Sequence, residues 1–183
     1  MMRFRVKELR YFYDNFLRYS GIYVPQADEY EKLCFNFDAF LFCAVAASET
    51  PDKKIKRLFY KIKPFPYIKA LRNISAHYSP LHIINNCHNS PFYSRLINET
   101  YSQSGNKIEL IINIDSTIIE INEANTKYKD KHNNNDNNTY VSAVKYLESI
   151  KGKITLIHEV FKCVMDEFAI ISGKVQHTRK NHQ

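Results

Sequence analysis

The chain has 183 residues, 44% of them hydrophobic, and its 26 Lys and Arg against 19 Asp and Glu give a formal net charge of +7. This length and composition predict a single globular domain over residues 1–183 and mark no second one. No apolar run approaches the roughly 20 residues that span a bilayer, and the charged start MMRFRVKELR differs from a signal peptide. We therefore expect a cytoplasmic protein with no membrane partner.

The chain has only 4 Gly and 6 Pro, which favours long helices over a many-turned β-sandwich. Arg5 begins a first amphipathic segment, residues 5–19. A second helix is predicted over residues 28–48, where FNFDAFLFCAVAAS is apolar nearly all round and is typical of a bundle centre. Thr50 as N-cap and Pro51 at the next position predict the start of a third.

The second half of the chain is less regular. Residues 107–122, KIELIINIDSTIIEIN, predict two short strands joined at Asp115-Ser116, with a helix as the alternative. The polar residues 127–138 predict a flexible loop. Apolar residues every three or four positions then predict one long helix over residues 140–172, bent at Gly152, and a frayed tail over residues 174–183.

Cysteine and histidine positions do not predict a metal or cofactor site. The cysteines lack CxxC spacing and lie mostly among apolar neighbours, which predicts buried, reduced thiols: Cys34, Cys43, Cys87 and Cys163. His82 and His88 lie near Cys87, but no fourth ligand follows at a regular spacing.

Basic residues are concentrated between positions 53 and 72, beside the single acid Asp52. An apolar stripe that includes Ile55, Leu58 and Phe59 would turn these charges outward, where they can bind the phosphates of RNA. The alternative is an ordinary solvated helix face. The predicted RNA-binding residues are Lys53, Lys54, Lys56, Arg57, Lys61 and Lys69.

The stretch ALRNISAHYSP, residues 70–80, carries the candidate catalytic groups. On a helical wheel over residues 67–79, an apolar stripe (Tyr67, Leu71, Ile74, Tyr78) lies opposite Arg72, Asn73 and His77, and Ala70 and Ala76 leave space beside them. Histidine can move protons at neutral pH, and arginine can hold a phosphate and its transition-state charge. The alternative is a solvated helix face with an incidental histidine.

Arg72-Asn73-x-x-x-His77, following the aromatic-rich segment 35–49 and preceding a long C-terminal helix, resembles the signature of the HEPN superfamily. The resemblance implies an all-α, HEPN-like helical bundle, here with a small β-hairpin insertion, that forms homodimers in which the motif helices face each other.

The resemblance also implies a metal-independent endoribonuclease, such as a toxin or an antiphage or stress-response effector, that cleaves RNA by attack of the 2′-hydroxyl. Arg72 and His77 would be catalytic and Asn73 a supporting polar residue. The implied partners are RNA, a second copy and an antitoxin or other regulatory protein. Some family members lack nuclease activity, so a catalytically silent RNA- or protein-binding module is the alternative.

Overall fold

The computed structural model describes residues 2–20, 27–49, 52–77, 97–101, 108–131 and 137–180. This part of the chain is mostly helical, as the sequence predicts. Its helices are α1 (Met2–Ser20), α2 (Ala27–Ser48), α3 (Lys53–Phe59), α4 (Phe65–His77), α5 (Ile114–Lys131), α6 (Asn137–Ile150) and α7 (Ile157–Lys180). Its strands are β1 (Ile97–Tyr101) and β2 (Ile108–Ile112).

Aromatic side chains join α1, α2 and α7 into one core. The ring of Phe161 on α7 stacks on Phe40 of α2 with ring centroids 4.0 Å apart. The rings of Phe16 on α1 and Phe37 on α2 lie 5.2 and 5.3 Å from the same ring. All four side chains are buried, so the apolar faces of the three helices meet at Phe161.

A buried polar contact joins α2 to α4, which carries the candidate site. The Ser75 hydroxyl donates a hydrogen bond to Asp38 Oδ1 over 2.9 Å, and both residues are buried. A buried carboxylate is costly without such donors, so this bond favours one register between the two helices. The opposite side of α4 packs against α6, where the rings of Tyr67 and Tyr146 stack 5.9 Å apart.

The third helix begins later than the sequence predicts. Asp52, rather than Thr50, is the N-cap of α3, because its carboxylate accepts hydrogen bonds from the backbone N–H groups of Lys54 and Ile55. Thr50 and Pro51 lie outside the described residues.

A β-ladder is present, but the predicted pairing is wrong. Strand β2 pairs antiparallel with β1, which precedes it, and not with residues after Asp115. Those residues form α5, whose start is stabilised by Asn113: its side chain accepts from the N–H of Ser116, and its carbonyl accepts from the N–H of Thr117. Residues 107–122 therefore divide between a strand and a helix.

The predicted single helix over residues 140–172 is two helices. Gly152, with φ of +86°, lies in the turn between α6 and α7, in a backbone region that glycine adopts without steric cost. Ile154, predicted on the helix stripe, is 80% exposed in this connection. The turn lets α7 pack against α1 and α3 while α6 packs against α4 and α5.

Three other expectations need smaller corrections. The predicted loop over residues 127–138 is helical at both ends, where α5 runs to Lys131 and α6 begins at Asn137; residues 132–136 lie outside the description. The backbone of the predicted frayed tail continues α7 to Lys180. Cys34 and Cys43 are buried thiols as expected, Cys163 is exposed, and Cys87 lies outside the described residues.

Candidate functional site

One face of α4 is buried and the other carries the candidate site. Tyr67, Leu71 and Ile74 are buried, which confirms the predicted apolar stripe up to Tyr78, a residue outside the description. The accessible positions follow helical spacing: Lys69, Arg72, Asn73 and Ala76. Ala70 is fully buried, so the expectation that it leaves space beside the motif is wrong.

The Arg72 guanidinium lies between α4 and α2, in a partly buried position. Its carbon Cζ is 5.5 Å from the centre of the Phe42 ring, a cation–π distance. Nη2 lies 3.6 Å from Glu49 Oε1, and Nη1 donates a hydrogen bond to Asn73 Oδ1 over 3.0 Å. The side chain is 24% exposed, so Arg72 lies outside the core without being a freely solvated surface residue.

One donor of Arg72 remains without a partner. Nε is buried and makes no hydrogen bond within the part of the chain that the structure describes. Phe42 and Glu49 hold the guanidinium plane, while Asn73 contacts only one of its nitrogens. Each Nη group carries two N–H donors and makes one contact, so this oriented planar cation can bind a phosphate oxygen through its Nη groups at low conformational cost.

Asn73 and His77 are four residues apart on the same helix. Asn73 is half-buried and bound to Arg72. His77 is the last residue of α4, and the structure describes its backbone only. The helix thus joins all three motif residues, with the side-chain contact between Arg72 and Asn73 established.

The predicted RNA-binding residues form a basic surface that continues from α3 onto α4. The side chains on and after α3 are exposed: Lys53, Lys54, Lys56, Arg57 and Lys61. Lys69 on α4 is half-buried and donates a hydrogen bond from Nζ to the Tyr60 hydroxyl over 2.8 Å, at the end of α3. Lys69 and Arg72 are three residues apart on the accessible face of α4, so the basic surface reaches the candidate site.

A groove opens on the other side of Arg72. It has a volume of about 420 Å³ and lies between α1, α2 and α4. Its α1 wall contains the ion pair of Arg5 Nη1 with Glu8 Oε2, 3.1 Å apart. The Cys43 thiol on its α2 wall donates to Glu8 Oε2 over 3.8 Å, and burial, followed by the charge of Glu8, raises the pKa of Cys43 to about 11. This thiol is therefore protonated at neutral pH.

Sequence reasoning identified Arg72 and missed the two residues that hold it. Phe42 and Glu49 lie 30 and 23 residues before Arg72 in the chain, and neither belongs to the motif that contains Arg72. One signal was present in the sequence: Phe42 does not fall on the stripe of apolar residues that α2 buries in the core.

Metal binding finds no support in the described ranges. No group of three His, Cys, Asp or Glu residues there could hold a metal ion; His82, Cys87 and His88 all fall in the undescribed stretch 78–96. In the same described ranges, no helix has both the length and the apolarity to cross a membrane.

Comparisons with known proteins do not assign the chain to a family. Neither a family model, nor a curated protein, nor a solved structure matches it.

Proposed function

We propose that the chain is a metal-independent endoribonuclease of the HEPN type. The observation that carries the proposal is the position of Arg72: a partly buried, oriented guanidinium on the helix that ends at His77, next to the basic surface of α3. Phosphate affinity and a proton-transfer residue on one helix are what cleavage of RNA by its own 2′-hydroxyl requires.

The proposed reaction needs no group other than RNA and the side chains. The ribose 2′-oxygen attacks the adjacent phosphorus, the bond from phosphorus to the 5′-oxygen breaks, and the products end in a 2′,3′-cyclic phosphate and a 5′-hydroxyl. His77 transfers a proton from the attacking oxygen or to the leaving one. Arg72 stabilises the charge on the phosphoryl oxygens, and Asn73 fixes the position of Arg72 Nη1.

The basic surface would hold the RNA along its backbone. The exposed residues Lys53, Lys54, Lys56, Arg57 and Lys61 would bind phosphates, and Lys69 would link that contact to Arg72. The exposed Tyr60 ring, between these cations, offers a surface on which a base can stack. RNA is thus the proposed substrate, and a toxin or defence effector with its own regulatory protein is the biological role that we propose for such an activity in the cytoplasm.

The second candidate is a catalytically silent RNA- or protein-binding module. The contacts of Arg72 with Glu49 and Phe42 favour it, because they suit an arginine that joins α4 to α2 as well as one that binds a phosphate. The two functions predict different fates for bound RNA: the ribonuclease cleaves it, and the silent module leaves it intact.

The test is cleavage of a labelled RNA pool in the presence of EDTA. His77→Ala and Arg72→Lys should each lower the cleavage rate by about 10²-fold, since lysine keeps the charge but loses the planar fork. His158→Ala and Arg10→Lys are matched controls on α7 and α1, and both should cleave at the wild-type rate. Thermal melting of every variant shows whether it folds.

Each remaining outcome decides against the proposed metal-independent ribonuclease. Wild-type protein that binds RNA and leaves it intact supports the silent module. Cleavage that stops in EDTA means metal-dependent chemistry, and products with 3′-hydroxyl ends mean that the 2′-hydroxyl is not the nucleophile.

A further inference from the structure

A single row of accessible side chains runs along α2. From position 33 to position 48, twelve of the sixteen residues are buried. The four accessible ones are Phe35, Ala39, Phe42 and Ala46, and the two phenylalanines are 55% and 40% exposed. Large apolar side chains at such exposure, ordered in a row, are typical of an interaction surface.

The spacing of this row is that of a helix–helix seam. Its members follow at intervals of four, three and four residues, and the exposed Lys32 and Glu49 extend the same pattern at the two ends. Intervals that alternate between three and four are the a and d positions of a heptad repeat, at which two helices pack side by side. We name these six residues the α2 row: Lys32, Phe35, Ala39, Phe42, Ala46 and Glu49.

The α2 row is complementary to itself when it is reversed. Two copies of α2 placed antiparallel, with a two-fold axis between Phe40 and Leu41, bring each phenylalanine against an alanine of the other copy: Phe42 against Ala39 and Phe35 against Ala46. The same register places Lys32 against Glu49 at both ends. We infer that the α2 row is the surface on which a second copy of this chain binds.

The groove beside α2 has room for the rings that this arrangement inserts. Its lining residues include Ala39 and Ala46 of α2, Phe12 of α1 and Arg72 of α4, and its volume is about 420 Å³. The partner's Phe42 and Phe35 would enter it at the two alanines. On the α1 side, the ring of Phe12 contacts Phe35, and the 63% exposed Tyr11 contacts Phe12. These rings extend the apolar strip from α2 onto α1.

The charges favour a second copy over RNA at this surface. The row has an acid at one end and a base at the other, whereas the lysine-rich surface lies on α3. A two-fold arrangement brings each end charge of one copy against the opposite charge of the other copy, in addition to the contact of Glu49 with Arg72. The arrangement differs from the expected one, because α2 and not the motif helix α4 forms the contact. The partner's rings would lie beside Arg72 in the groove, so the dimer involves the side chain that the proposed cleavage uses, but the mass of the assembly is measured without RNA.

The test uses charge reversal. Light scattering at micromolar concentration should give about twice the 21.6 kDa mass of the chain. Lys32→Glu alone, or Glu49→Lys alone, places like charges together at both ends of the seam and should weaken the dimer about tenfold or more. Mixing the two variants restores two opposite-charge contacts and should restore the dimer as a heterodimer.

The mixing step separates binding from folding. Loss of the Arg72 contact in Glu49→Lys could alter the fold, but a misfolded chain would not regain its partner on mixing. Lys145→Glu and Glu148→Lys, both exposed on α6, are matched controls and should leave the mass unchanged.

A wild-type monomer at these concentrations would overturn the inference, as would a dimer that is insensitive to both reversals or a mixture that stays monomeric. A monomer in which Phe35→Ser weakens RNA binding would instead assign the row to nucleotide bases.

Discussion

Two tyrosines and one cysteine hold their ionisable groups away from water. Burial raises the pKa of Tyr67 on α4, and burial followed by the neighbouring Cys163 raises the pKa of Tyr146 on α6 to about 12. Burial also raises the pKa of the Cys43 thiol to about 11. All three groups are neutral in the folded chain at neutral pH, so their burial places no charge in the core.

This burial predicts a loss of stability in alkali. In the unfolded chain a tyrosine ionises near pH 10, so the contribution of Tyr146 is complete below about pH 10 and is lost as the pH rises to about 12. The free energy of unfolding, measured in urea, should therefore fall between pH 9 and pH 11. Tyr146→Phe should make that fall smaller by about 1 kcal/mol. Tyr11→Phe on α1 is the matched control for loss of a phenol, and an equal fall in wild type and Tyr146→Phe would contradict the prediction.

Two glycines lie in different backbone settings, Gly152 in the turn that follows α6 and Gly173 within α7. Gly152 has φ of +86° in the turn before α7, whereas Gly173 lies within α7 (Ile157–Lys180) and has no neighbouring atom within 4 Å of an added Cβ. A Cβ at Gly152 also meets no atom within 4 Å. The two sites therefore differ in backbone conformation rather than in space.

The same substitution should change stability in opposite directions at these two sites. Gly152→Ala should lower the free energy of unfolding by about 1–2 kcal/mol, because an L-residue is strained at positive φ. Gly173→Ala should raise it by about 0.5–1 kcal/mol, because alanine favours a helix interior. Urea denaturation of the two variants beside wild type measures both changes. Shifts of the same sign would show that backbone conformation does not control this turn.

Helices and strands that local residue spacing determines could be predicted from the sequence, whereas those that tertiary packing determines could not. The apolar stripes of α1, α2 and α4 follow helical spacing in the sequence, and the structure confirms them. Gly152 was interpreted as a bend because glycine costs a helix only about 1 kcal/mol, and nothing local reveals that packing requires a turn there. The start of α5 is rich in Ile and Thr, and β-branched residues favour strands, so the sequence predicts a strand there. The buried residues Thr117, Ile121 and Ala124 nevertheless have helical spacing.

The site was predictable only within one helix. Arg72 and Asn73 were found because their spacing from His77 is local, whereas Phe42 and Glu49 reach Arg72 through tertiary packing that no short pattern encodes. The α2 row was hidden for a related reason. A helix with apolar residues all round predicts a bundle centre, and only the packed structure distinguishes Phe40, which is buried, from Phe35 and Phe42, which are not.

At the scale of the whole molecule, the net charge of +7 is distributed unevenly. The basic surface of α3 would release counterions when it binds RNA, and each phosphate contact adds about 0.7 to the slope of log affinity against log salt for a single strand. Replacing Lys53, Lys54 and Lys56 by glutamine should therefore weaken binding to RNAs of any sequence and flatten that slope by up to about 2.

The matched control changes the net charge equally at three exposed lysines on other parts of the chain: Lys7, Lys145 and Lys153. Filter binding or fluorescence anisotropy between low and moderate salt gives both slopes. The same slope for the α3 variant and the control would mean that the overall charge attracts RNA and that α3 makes no specific contact.

The cap of α3 affects how strongly this surface attracts phosphates. The Asp52 carboxylate accepts hydrogen bonds from the backbone N–H groups of Lys54 and Ile55. The negative charge of this segment therefore lies at the N-terminal end of the helix. Four cations (Lys53, Lys54, Lys56 and Arg57) then occupy a seven-residue helix about 10 Å long. Their linear charge density is one charge per about 2.6 Å, between the one per about 1.7 Å of a DNA duplex and the one per about 3.4 Å of each of its strands. One short helix thus carries its cations at a spacing that falls within the range of phosphate spacings in nucleic acids.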